Sequence, residues 1–275
     1  MARVDVSRPD LAIVIPAFNE ELRLQRALPR IRAVLAARGR RSEVIVVDDG
    51  STDRTADVTR EWSTRWSAVR LVVHPLNRGK GAAVRSGVLA SHADRVAFTD
   101  ADLSAPIEQL DVLLDDLADA EIAILSRALP GARIEHHQSA PRETMGKLYA
   151  ALANGLLLRG VPDPQCGLKV YRGDLARRLF AEVREDGVVF DTEVLLLAAR
   201  AKARISQRPA VWRHDPETRI PFDLVRALGI AVALWRMKWR HRVLLPVAAA
   251  GPIRAASGAA LAHSAATWEY GDTAT

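Results

Sequence analysis

Along the first half of the chain, short apolar runs alternate with stretches whose apolar residues recur every three or four positions. Leu11–Ile15, Glu43–Val47, Leu71–Val73, Arg95–Thr99 and Glu121–Leu125 are short and rich in branched side chains, the pattern of buried strands. The intervening segments Glu20–Arg38, Asp53–Trp66, Lys80–His92 and Pro106–Leu117 have helical spacing. Leu22, Leu24, Leu28, Ile31 and Leu35 contribute apolar faces to the first. Ser51 or Thr52 suits the cap of the second helix, and Pro106 suits the first turn of the fourth. Strands separated by helices predict βαβ units, hence an α/β fold with a mostly parallel sheet flanked by helices.

The second half is less regular. Residues 128–142 read as a loop rich in Pro, Gly and His, followed by helices at 142–158, 173–182 and 190–203. Asp163–Gly167 is turn-like and runs into a strand at Leu168–Tyr171; Ile205–Trp212 reads as another strand. The pattern divides into a domain over 1–215, an amphipathic helix over 216–242 and a tail over 243–275. The tail is Ala-rich, then Ser/Thr-rich, and is expected to be partly disordered.

In open parallel sheets, ligands bind beyond the carboxyl ends of the strands. Each of the first five strands ends on polar groups: Pro16-Ala17-Phe18-Asn19-Glu20, Asp48-Asp49-Gly50-Ser51, Asn77-Arg78-Gly79-Lys80-Gly81, Asp100-Ala101-Asp102 and Ser126-Arg127. Asp100 and Asp102 are two apart at a strand end, so both carboxylates face one side and call for a cation between them. A divalent ion held by one or two carboxylates plus substrate phosphates is such a cation. The ordinary alternative is a solvated turn with Asp102 capping the next helix. Asp48 suits a base or ribose contact, whereas Asp49 fits a turn equally well. Gly79-Lys80-Gly81 resembles a phosphate loop at a helix start, but it is neither a Walker loop nor a full dinucleotide fingerprint. Arg127 suits bidentate phosphate recognition. Asp191 and Glu193 open an apolar helix, where acids favour the helix dipole or serve an acceptor side. His136 and His137 lack spaced metal-ligating partners, and Cys166 reads as a packing residue.

Charge and composition narrow the partners. Lys and Arg outnumber Asp and Glu by 39 to 33, a net charge of +6, which favours anionic partners. No Lys/Arg block with interleaved aromatics precedes residue 219, so nucleic acid is not expected. The single cysteine excludes an internal disulfide framework and predicts a reducing, cytoplasmic setting. No apolar run reaches the roughly 18 residues a membrane span needs. Residues 219–242 nevertheless combine Arg219, Arg226, Arg236, Lys238, Arg240 and Arg242 with a stripe of Leu224, Leu228, Ala231, Trp235 and Trp239. Such a helix suits peripheral contact with the inner face of a membrane, or packing against the domain or a second copy.

Taken together, Ile13–Glu20, Val46–Asp53 and Asp100-Ala101-Asp102 resemble the family 2 glycosyltransferases of GT-A fold over about residues 11–215. Within that family, Asn77–Arg85, Asp163-Pro164-Gln165-Cys166-Gly167-Leu168-Lys169 and Phe190-Asp191-Thr192-Glu193 look most like the dolichyl- or polyprenyl-phosphate glucosyltransferases. The resemblance implies that Pro16, Ala17, Asn19, Glu20 and Asp48 surround the nucleoside of a nucleotide-sugar donor, with Lys80, Asp100 and Ala101 near the nucleotide. It implies that Asp102, with Asp100, holds a magnesium or manganese ion with the diphosphate. It places Arg127, Lys169 and Gln165 at the acceptor. Some relatives carry membrane anchors, and the apolar runs here show none, so the acceptor is either a polyprenyl phosphate met at a membrane surface or a soluble molecule.

The implied activity is inverting hexosyl transfer, with UDP-glucose preferred as donor and GDP-mannose as the alternative. A phosphate acceptor needs no base; a hydroxyl acceptor needs one, and Asp191 or Glu193 is then the candidate. Two other classes compete. A nucleotidyltransferase would show a Gly-rich loop with an early basic residue after the first strand, and Pro16–Glu20 lacks it. A non-catalytic nucleotide-sugar-binding module would not need Asp100, Asp102 and Arg127 intact.

Overall fold

A computed structural model describes residues 8–136, 140–213 and 224–254. Its elements in chain order are β1 (Leu11–Ala17), α1 (Glu21–Arg38), β2 (Ser42–Asp48), α2 (Thr55–Arg65), β3 (Val69–Val73), α3 (Lys80–Ala90) and β4 (Arg95–Phe98). A 3₁₀ turn (Ile107–Gln109) then precedes α4 (Leu110–Asp116), β5 (Ile122–Ser126), β6 (Arg133–His136) and α5 (Ala140–Leu156). The chain continues through β7 (Leu158–Arg159), β8 (Lys169–Arg172), α6 (Gly173–Glu182) and α7 (Phe190–Arg200). Last come β9 (Ile205–Pro209), β10 (Val211–Arg213), α8 (Leu224–Arg240) and β11 (Val247–Ala248).

Seven strands form one sheet in the order β3-β2-β1-β4-β8-β5-β9, and only β8 runs antiparallel to its neighbours. The central strands are buried on both faces, which is why they read as unbroken apolar runs rather than alternating ones. Alternate residues feed two separate cores. Ala12, Val14, Val96 and Phe98 pack with residues of α3, α6 and α7. Ile13, Ile15, Val44 and Val46 pack with residues of α1 and α4 on the other face.

The expected elements are present, with local departures. β6 lies inside the stretch expected to be a loop, where it pairs with β10. The expected strand at 205–212 divides into β9 and β10, because Pro209 cannot donate to the ladder. Pro106 precedes the 3₁₀ turn instead of opening a long helix. At α2 it is Asp53, not Ser51 or Thr52, whose carboxylate accepts the Thr55 N–H at 3.0 Å. In the expected tail, residues 243–254 are paired: β11 lies along β7, and Gln207 bonds to both Pro252 and Arg254. Arg254 also reaches buried Asp116 at 3.2 Å. His137, Arg219 and residues 255–275 lie outside the described residues.

Candidate active site

All five expected strand ends open on the same rim, because β1, β2, β3, β4 and β5 run in one direction. Antiparallel β8 brings its start, Lys169, to that rim too, opposite Phe98 of β4 and Ile124 of β5.

Beyond β4 the chain turns sharply: Leu103 N–H donates to Asp100 C=O, and Asp102 Oδ1 accepts Ser104 N–H at 2.9 Å. Lys80, the first residue of α3, places Nζ 2.6 Å from Asp100 Oδ1. Burial works against the Lys80 ammonium, but Asp100, Asp191 and Asp102 outweigh it and raise its pKa. Asp102 is raised above the usual carboxylate range, first by burial and then by Asp100. Thus Asp100 has a cation beside it, while Asp102 carries charge at a cost. Gly167 touches the same group: a Cβ there would stand 2.5 Å from Asp100 Oδ2, so a larger residue would make the Asp100 carboxylate shift.

The loop before α3 differs from a phosphate cradle. Gly79 has φ +104 and donates to Asp49 Oδ2 at 2.7 Å, and the N–H groups of Gly81 and Ala82 donate to Asp186 C=O. These backbone donors are therefore committed within the protein, and it is the Lys80 side chain that faces Asp100. Asp49 is the hub of this loop. It accepts from Arg78 and Gly79 and pairs with His74 Nδ1 at 2.6 Å, whose Nε2 meets Ser86 Oγ at 2.9 Å. His74 had no distinguishing signal in the sequence, because it stands alone after a strand.

Asn19 and Asp48 join the first two strand ends. Asn19 Oδ1 accepts Thr52 N–H at 2.8 Å, its own N–H donates to Ser51 Oγ, and Asp48 Oδ1 accepts Ser51 N–H at 3.0 Å. Glu20 N–H donates to Thr55 Oγ1, and its carboxylate pairs with Arg23 at 2.9 Å. Pro16 is partly exposed; Ala17 and Ala101 are buried beneath the rim.

On the other flank, Arg127, expected to recognise a phosphate, is itself held by a carboxylate. Its Nε and Nη2 each donate to Asp163 at 2.8 Å, its backbone N–H bonds the same carboxylate, and its guanidinium lies 5.4 Å from the Trp212 ring. Burial would raise Asp163, but Arg127 more than compensates and holds it below the usual range. Asp163 opens the Asp163–Lys169 motif, but its pairing with Arg127 depends on a fold contact 36 positions away in sequence.

Lys169 is fully buried, with Nζ 2.7 Å from Asp191 Oδ1 and 2.6 Å from Cys166 C=O. It faces the protein interior, not open space as an acceptor ligand would. Asp191 is raised, chiefly by burial and against the pull of Lys169 and Lys80. Glu193, entirely buried, accepts the N–H groups of Arg184 and Glu185 and pairs with His241 at 2.7 Å and Arg240 at 3.2 Å. Neither acid has the open surroundings of a general base. Burial pushes the Cys166 thiol up to about 12, as suits a packing residue. Gln165 donates to Val188 C=O at 3.2 Å at the edge of the site. A cleft of about 890 Å³ at the opposite rim, lined by Arg95, Glu121, Arg172 and Arg204 among others, contains none of these groups; it adjoins the amino ends of the strands, away from the usual ligand side.

Residues 12–180 match the model of "Glycosyl transferase family 2". The chain is 31% identical over 215 residues to a dolichyl-phosphate beta-glucosyltransferase of Trichomonas vaginalis, covering 74% of this chain and 66% of that one. It is 30% identical over 250 residues to the dolichyl-phosphate beta-glucosyltransferase of Homo sapiens, covering 86% and 77% respectively. Its fold resembles a solved structure of glucosyl-3-phosphoglycerate synthase from Mycobacterium tuberculosis with Mn2+, UDP and glucosyl-3-phosphoglycerate. There the TM-score is 0.56 at 20% identity, covering 84% of this chain and 79% of the other.

Proposed function

The chain belongs to glycosyl transferase family 2, and from that premise we propose that it transfers glucose from UDP-glucose to a polyprenyl or dolichyl phosphate with inversion at the sugar. The observation that carries this reading is the Lys80–Asp100–Asp102 cluster at the carboxyl rim. The relatives supply the sugar and acceptor class, since both are named for glucosyl transfer to dolichyl phosphate.

The cluster suits a divalent cation by its donor chemistry. It offers hard carboxylate oxygens, and burial and the Asp100 carboxylate both work against the Asp102 charge. Among the described residues no three His, Cys, Asp or Glu side chains form a self-sufficient cage, which fits an ion whose shell is completed by a diphosphate. Asp102 is then the principal ligand and Asp100 the bridge between Lys80 and the nucleotide. When bound, such an ion neutralises charge developing on the departing nucleoside diphosphate.

The chain's own groups do the rest. The acceptor phosphate is anionic at neutral pH, so its oxygen attacks the anomeric carbon without losing a proton. The bond from that carbon to the diphosphate breaks, and UDP leaves with the electron pair. Asp163 holds Arg127 in one orientation, and the remaining N–H groups of the guanidinium orient the acceptor phosphate. The burial and pairing of Asp191 and Glu193 favour this base-free route over transfer to a hydroxyl.

The test is a panel of UDP-glucose and GDP-mannose against polyprenyl phosphate and small phosphorylated acceptors, with and without Mg2+ or Mn2+. Glucosyl lipid formed from UDP-glucose is expected. Mannosyl transfer alone, or transfer only to the soluble acceptors, would overturn the assignment.

A further inference from the structure

Helix α8 has two apolar sides. Leu234 and Met237 are buried against the core cluster, joined by the partly buried Ile230 and Ala233. An ordinary surface helix would be polar on its far side. Here Leu228, Val232, Trp235 and Trp239 are exposed by 59%, 46%, 55% and 67%. At about 100° per residue, these four fall within roughly 60° of one another, on the side opposite Leu234 and Met237. Arg236 and Lys238 flank the stripe on its two sides at the same spacing, and neither has an acidic partner among the described residues. The Trp235 and Trp239 rings pack against each other at a tilt of 57°, centroids 5.5 Å apart. Just past the helix, Leu244 and Leu245 are still more exposed, and Arg242 lies beside them. Helix α5, which packs against α8, adds exposed Leu148 and Leu152.

We infer that this outer face of α8, with Leu244 and Leu245, docks on a bilayer surface containing anionic lipids. Paired tryptophans with an apolar body and a polar N–H suit the headgroup boundary, and cations on both flanks of an apolar stripe match anionic headgroups. No described helix is long and apolar enough to cross a membrane, so the contact is one of lying on the surface. The face is also tied to the rim. The end of α8 pairs with Glu193 through Arg240 and His241, and Tyr149 of α5 hydrogen-bonds Thr192, both within two residues of Asp191. Docking would therefore fix the orientation of the rim relative to the lipid.

This inference does not depend on which sugar or acceptor is used. The test is co-sedimentation of the whole chain with phosphatidylcholine vesicles, with and without phosphatidylglycerol, alongside tryptophan quenching by brominated lipid. Binding to the anionic vesicles is expected, falling with salt. Trp235→Ala/Trp239→Ala should weaken it by on the order of tenfold or more, with the circular dichroism spectrum unchanged. Arg236→Gln/Lys238→Gln should weaken binding to anionic but not neutral vesicles. Two results would overturn it: no binding to anionic vesicles, or a solution dimer that dissociates in the tryptophan variant and shows no affinity for lipid. Vesicle binding without any glucosyl transfer would instead count against the activity alone.

Discussion

At the scale of single residues, the rim is a set of cations each matched to a carboxylate: Lys80 to Asp100, Lys169 to Asp191 and Arg127 to Asp163. They differ in exposure, and that separates function from support. Lys169 and Asp191 are the buried pair, so removing one partner strands a charge. Lys169→Met should cost about 3–5 kcal/mol in urea unfolding, and adding Asp191→Leu should restore part of it. Glu193 makes a different prediction. Burial works against its charge, but His241 and the N–H groups of Glu185 and Arg184 hold its pKa below the usual value. The stability this gives is present above the unfolded-state pKa of about 4.3 and is lost as pH falls through the folded value. Glu193→Gln should therefore melt below the wild type at neutral pH, and the gap should narrow as the pH drops below about 4. A gap that stays constant with pH would show that the carboxylate charge is not what the site uses.

At the scale of elements, the strand ends were legible because doubly buried parallel strands leave a plain signature and their polar successors stand out against it. The Asp100-Ala101-Asp102 turn was readable for that reason. What the sequence left hidden were contacts between distant loops. The Arg127–Asp163 fork, the Asp49–His74–Ser86 chain and the capture of the α3 amides by Asp186 all join residues that no local pattern links. They recast Arg127 as a held guanidinium, and the glycines around Lys80 as packing residues instead of a phosphate cradle. The insertion of β8 between β4 and β5 is another such contact, and it carries the Asp163–Lys169 loop to the rim. The fit of that loop can be tested at Gly167, where a methyl group would press on Asp100. Gly167→Ala should lower kcat/KM by about tenfold or more with little change in melting temperature. Wild-type turnover in that variant would mean that Asp100 has room to move.

For the molecule as a whole, one sheet presents a charged rim at its carboxyl ends, and the last described helix presents an apolar face with flanking cations. The two are joined through α7, which holds Asp191 beside Lys169 and Glu193 beneath Arg240 and His241. An enzyme that takes one substrate from water and the other from a lipid surface needs both features on one body. The central claim concerns the first of them, the Asp100–Asp102 turn as the seat of the metal–diphosphate. Its most direct measurement is glucosyl-lipid formation and UDP release by wild type and Asp102→Ala, with UDP-glucose, polyprenyl phosphate and Mn2+, in protein whose fold is verified by circular dichroism. The account predicts matched product and UDP for the wild type, and a loss of about 100-fold or more in the variant with the spectrum intact. Turnover retained in Asp102→Ala would contradict it.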